Sequence, residues 1–121
     1  MLKVIYGQNC VRYAELGLKS GDTAVVGTPV KLTTDGWATA TDALRCDGFL
    51  YSLESGNPIG NVVVAFGPGT VFETDQVTLT GLAVGDDLEV KTGKLVKKST
   101  GVAVGRVLYV GSDYIRFVSF V

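Results

Sequence analysis

Val30-Lys31-Leu32-Thr33-Thr34-Asp35-Gly36-Trp37 and Leu88-Glu89-Val90-Lys91-Thr92-Gly93-Lys94 are the stretches that decide the fold class. In both, apolar and polar side chains alternate, the mark of a strand with one buried face. Asp-Gly or Thr-Gly then supplies the positive φ that a tight hairpin demands. The likeness continues downstream. Gly48-Phe49-Leu50-Tyr51 leads to Asn61-Val62-Val63-Val64, and Gly105-Arg106-Val107-Leu108 leads to Asp113-Tyr114-Ile115-Arg116. Gly36 pairs with Gly93 and Gly48 with Gly105 at one offset of 57 residues. Each unit reads as a hairpin, a glycine-led strand and a further strand. The first carries a longer loop, Leu53–Gly60, where the second has Gly111-Ser112. Two such units can hide sheet edges that neither hides alone.

The rest of the chain agrees with sheet. Valine is the commonest residue and threonine is abundant, and β-branched side chains pack well on a pleated surface. Val77-Thr78-Leu79 alternates as a strand does. Tyr114 to Val121 places Ile115, Phe117 and Val121 on one face and Tyr114, Arg116, Val118 and Phe120 on the other, and both faces are expected to be covered. Turn signals recur at Ser20-Gly21-Asp22, Asp47-Gly48, Asn57-Pro58, Gly67-Pro68-Gly69 and Gly85-Asp86. Helix is expected only over Val11–Leu18, stopped by Gly17, with a single turn at Asp42–Arg45. The expectation is an all-β chain, a small β-barrel or β-sandwich of short strands and tight Gly-rich hairpins. Residues 1–20 form an extended N-terminal arm or first strand. Residues 21–121 form a single β domain of two related units, at about 27–69 and 85–121.

Composition sets the outer limits. With 121 residues, 46% hydrophobic and 19% charged, the chain can build the core of one domain and is not disordered. Its longest apolar runs, such as Val62–Phe66, fall far short of the ~20 residues of a spanning helix. Met1-Leu2-Lys3-Val4 lacks a signal core and a small-residue cleavage site, so nothing marks secretion, and no membrane partner is expected. There is no histidine, which removes the commonest general base and metal ligand together. Cys10 and Cys46 have neither metal-ligand nor redox-pair spacing; a disulfide and two free thiols both remain open. Lys91, Lys94, Lys97 and Lys98 face Asp86, Asp87 and Glu89 and read as the solvated side of a charged hairpin. With net charge −1 evenly spread, no nucleic-acid partner is expected.

Catalytic chemistry has no foothold in these residues. Asp86-Asp87 and Glu73-x-Asp75 sit at turns, where carboxylates cap backbone amides. Gly67-Pro68-Gly69-Thr70 precedes a strand rather than a helix, so it is a turn and not a phosphate loop. No catalytic, metal or cofactor residue is assigned, and the chain is not expected to be an enzyme. Contact surfaces are the better lead. Met1-Leu2-Lys3-Val4-Ile5-Tyr6 is strongly apolar for a terminus and needs a partner, either an edge of its own sheet or another chain. Trp37 directly follows a hairpin turn, where a rim or interface position competes with a core one. Leu2, Val4, Tyr6, Tyr13 and Trp37 are therefore the candidate interface residues.

The landmarks Gly27, Val30-Lys31-Leu32, Asp35-Gly36, Ala40, Gly48-Phe49-Leu50, Val62-Val63-Val64 and Gly67 return as Gly85-Asp86, Leu88-Glu89-Val90, Thr92-Gly93, Gly105-Arg106-Val107 and Tyr114-Ile115-Arg116. This pattern, over roughly Gly21 to Val121, resembles the small all-β capsid decoration (cement) proteins of tailed bacteriophages. Phe49 and Arg106 stand where that family prefers small apolar residues, and Lys94 falls opposite Trp37. The resemblance implies a non-enzymatic virion protein that binds the major capsid protein on the exterior of an icosahedral head. It also implies a homo-oligomer, most simply a trimer, with an N-terminal arm that orders on the shell. An adaptor of another phage assembly, such as a head-fibre base or tail component, and a ligand-binding barrel are the alternatives.

Overall fold

The computed structural model describes residues 1–54 and 60–121. Among them lie eleven strands and no helix. The strands are β1 (Leu2–Tyr6), β2 (Val11–Tyr13), β3 (Pro29–Thr33), β4 (Gly36–Thr39), β5 (Gly48–Ser52), β6 (Val63–Phe66), β7 (Val71–Thr74), β8 (Asp87–Lys91), β9 (Lys94–Lys97), β10 (Gly105–Val110) and β11 (Ile115–Ser119). They form two antiparallel sheets, ordered β1-β7-β11-β10-β8-β9 and β2-β6-β5-β3-β4. The architecture is a small sandwich and not a closed barrel.

Without β1, the two sheets have one and the same strand order. Register repeats as well: Leu32 faces Trp37 as Val90 faces Leu95, and Val30 faces Gly48 as Leu88 faces Gly105. Leu50 faces Val64 as Val107 faces Phe117, and each of these pairs is followed by a bulge, at Tyr51 and at Leu108. Bonds outside the strands follow suit. Trp37 N donates to Gly17 O (2.9 Å) and Leu95 N to Gln76 O (3.0 Å). Thr28 Oγ1 accepts from Val25 N (3.0 Å) and Asp86 Oδ2 from Ala83 N (2.8 Å). Gly48 and Gly105 are needed for one reason, because a Cβ would lie 2.6 Å from Val64 Cγ1 or 2.8 Å from Phe117 Cδ2. Both hairpins close with two residues, but their glycines differ by one position. The loop is Thr34-Asp35 in the first and Thr92-Gly93, both at positive φ, in the second. Trp37 therefore corresponds to Leu95 and not to Lys94.

The main core lies between the sheets. Phe72, Leu88, Val90, Leu95, Val107 and Phe117 from the inner face of the six-stranded sheet pack on Ala40, Cys46, Phe49 and Ala65. The Phe49 ring lies 5.3 Å from Phe72 and 5.2 Å from Phe117. A second cluster, Ala24, Val30, Trp37, Leu50, Val62 and Val64, fills the other side of the five-stranded sheet. That sheet is thus buried on both faces, and the six-stranded sheet on one.

Asp22 ties the segment before β3 to β4. It accepts from Ala24 N (2.9 Å), Thr39 N (2.8 Å) and Thr39 Oγ1 (3.0 Å). Partial burial raises its carboxyl, but these donors outweigh burial and hold it below the ordinary 3.8. A depressed folded-state pKa contributes stability that is present above the unfolded value and lost as pH falls through the folded one. Asp22→Ala is expected to lower stability by about 1–3 kcal/mol at neutral pH in urea unfolding. The deficit should shrink below about pH 4, once the wild-type carboxyl is protonated too.

Several expectations are corrected. Val11–Leu18 is not helical: Val11, Arg12 and Tyr13 pair with Phe66, Ala65 and Val64, and Leu18 bridges to Trp37. Long-range pairing overrides the local pattern there. Val77-Thr78-Leu79 is reduced to a single bridge between Val77 and Leu95. Asp42–Arg45 holds a turn closed by Leu44 N on Thr41 O at 3.2 Å. Glu89, expected in solvent, is buried and accepts from Ser99 N (2.7 Å) and Ser99 Oγ (3.0 Å). The Asn57-Pro58 turn, within the Leu53–Gly60 loop, lies outside the described residues.

Candidate functional site

The outer face of the six-stranded sheet is where side chains with binding chemistry collect. Cross-strand partners share a face, so register alone places Tyr6, Val71, Val118, Arg106 and Asp87 in one row over five strands. At the usual strand spacing that row is about 19 Å long. A second row runs Lys3, Glu73, Arg116, Tyr109. Tyr6, Tyr109 and Phe120 on this face are exposed, as are the bulged residues Ile5 and Leu108. The expectation that both faces of Tyr114–Val121 are covered is thereby overturned. Ile115, Phe117 and Val121 are buried, whereas Phe120 is open and Arg116 and Val118 are half-buried.

Electrostatics hold the polar members of the face in place. Arg116 Nε lies 3.0 Å from Glu73 Oε1, Lys3 Nζ 3.7 Å from Glu73 Oε2, and Arg106 Nε 2.9 Å from Asp87 Oδ1. Arg106 stands 5.7 Å over the Phe120 ring and Arg116 5.7 Å over Tyr109. Tyr109 stacks on Tyr114 at 5.8 Å, and the neighbouring Tyr109 phenol raises the Tyr114 phenol above its ordinary value. Three cations, Lys3, Arg106 and Arg116, against two carboxylates, Glu73 and Asp87, leave the face close to neutral. Tyrosine, phenylalanine and arginine are the residue types enriched where proteins meet.

Of the five residues singled out from the sequence, this face includes only Tyr6, which is 59% exposed. Leu2 and Val4 point the other way, because alternation in β1 sends them into the main core while Lys3 and Tyr6 point out. A bulge between Val4 and Tyr6 breaks the alternation and turns Tyr6 outward, so these three do not share a face. The segment is also no free arm, since β1 is paired with β7 and β2 with β6 in its own chain. Trp37 is a core residue, against its assignment to an interface. It is buried beside Tyr13, whose half-buried ring meets it edge-on at 6.1 Å. Arg106, Tyr109, Tyr114, Arg116 and Phe120 were missed as a group. Their only sequence signal is the apolar residues on the second side of β11.

Asp86 and Asp75, two of the turn carboxylates, hold structural contacts. Asp86 caps Ala83 N and pairs with Lys97 at 3.6 Å; Asp75 Oδ1 accepts from the N-terminal ammonium at 2.7 Å, which holds its carboxyl below the ordinary range. Among the described residues no cluster could hold a metal ion. A groove of about 710 Å³ by the β8–β9 hairpin is lined by Lys91, Lys94, Lys97, Thr78 and Thr80 beside Glu89. Cys10 and Cys46 are free thiols, and burial pushes Cys46 up to about 12. Thiol titration should accordingly find no more than one reactive group in the native chain and two in denaturant. Rapid reaction of both in the folded chain would contradict the burial of Cys46.

Comparison of the chain with models of known families, with curated proteins and with solved structures finds no match.

Proposed function

We propose that this chain is a structural, non-enzymatic protein that decorates the exterior of a bacteriophage head, made in the host cytoplasm and bound to the major capsid protein. The observation that carries the reading is the uncovered outer face of the six-stranded sheet, with exposed tyrosine and phenylalanine interleaved with paired arginines. The duplicated landmarks add to it. The contact assigned to the shell is the β1 margin, Ile5 and Tyr6 beside Val71, because β1 is an edge strand with no counterpart in the five-stranded sheet. Docking there is apolar and aromatic, so attachment depends weakly on salt, unlike binding to nucleic acid. The test is co-sedimentation of the purified chain with undecorated heads at low and high salt. Saturable binding that survives high salt is expected. Absence of binding, or its steep loss with salt, would overturn the reading.

A further inference from the structure

We infer that copies of this chain associate head to tail: the outer face of β10 and β11 in one copy covers the open end of the first unit's core in the next. The internal likeness of the two sheets points to it. Val11 and Leu32 are 47% and 50% exposed, whereas Thr70 and Val90, which occupy the same places in the second unit, are each 1% exposed. Phe66 is half-buried, and its counterpart Ser119 is buried. Leu32, Trp37, Phe66 and Pro68 line a groove of about 370 Å³ at that open end, with Arg45 and Asp47 beside it. The first unit therefore has an apolar opening where the second is sealed.

The chain itself supplies the seal for the second unit. Phe49 of β5 and Ala65 of β6, on the side of the five-stranded sheet that faces the six-stranded one, belong to the same cluster as Val90 and Leu95. The residues that register puts in the places of Phe49 and Ala65 in the second unit are Arg106 and Val118, and the bulge at Tyr51 recurs as Leu108. Arg106 and Leu108 are exposed and Val118 is half-buried. One copy thus presents the covering face, and carries the opening that such a face covers, on different units. A second copy is the occupant whose backbone already fits in this manner. Charge does not oppose it, because Arg45 and Asp47 balance at the opening, Arg106 is paired with Asp87 on the covering face, and the net charge of the chain is only −1.

Such an interface is heterologous, and it closes into a ring where the rotation between copies allows. Leu32→Glu destroys the opening and Leu108→Glu the covering face. Both residues are about half exposed, and circular dichroism should report unchanged folds. Sedimentation equilibrium should find the wild type as an oligomer and each variant at the mass of one chain. Mixing the two variants should restore association at a mass of two chains, since each retains the surface that the other has lost. A monomeric wild type, an oligomer untouched by either substitution, or monomeric variants that stay monomeric on mixing would each overturn the inference. Binding of heads by a monomeric chain would overturn it while leaving shell attachment in place.

Discussion

Replacing Phe49 with alanine is expected to cost about 3–5 kcal/mol of folding stability, the largest effect of any single substitution considered. Phe49 is the one ring that the five-stranded sheet sends into the aromatic cluster, where it meets both Phe72 and Phe117. Truncation removes its buried area and leaves a cavity between two sheets that pack closely on either side of it. Phe120→Ala, on the exposed outer face, should cost under about 1 kcal/mol. Urea unfolding of the two variants checks the contrast. Equal losses would mean that the sheets are not joined through Phe49.

The second large effect concerns attachment and leaves folding alone. Tyr6→Ala should weaken binding to undecorated heads by about 30-fold, the consequence of losing a tyrosine worth about 2 kcal/mol at an interface. Its ring is exposed and, among the described residues, its hydroxyl bonds only to Gln8 Oε1, at 2.9 Å, so stability should stay within about 0.5 kcal/mol of wild type. Leu2→Ala, four residues away, should do the reverse. It removes a buried side chain at a cost of about 2–5 kcal/mol in folding, while binding by the folded fraction is unchanged. Binding isotherms and unfolding curves on both variants separate the two roles.

The fold class was legible because two signals pointed the same way. β-branched alternation marked the strands, and Asp-Gly, Thr-Gly and Gly-led segments marked where they turn. The repeat was legible too, through Gly48 and Gly105, although the hairpin register was misjudged by one because Asp35-Gly36 places its glycine in β4 while Thr92-Gly93 keeps it in the loop. The candidate surface was harder to read. Alternation in Leu2-Lys3-Val4 correctly gave one apolar side, but a sequence cannot say whether such a side meets its own core or a partner. β7, seventy residues away, takes that strand into its own sheet. A one-residue bulge then reverses Tyr6, and nothing in the local sequence announces it. Trp37 misled for a related reason: its position after a turn looked peripheral, but Leu18 and Tyr13, brought in by β2 and the segment after it, close over it.

Electron cryomicroscopy of undecorated heads mixed with the purified chain tests the central claim most directly. The account predicts density on the outside of the shell into which this sandwich fits with its β1 margin, Ile5 and Tyr6, against the major capsid protein. Heads that remain bare, or a bound chain with Tyr6 turned to solvent, would contradict it.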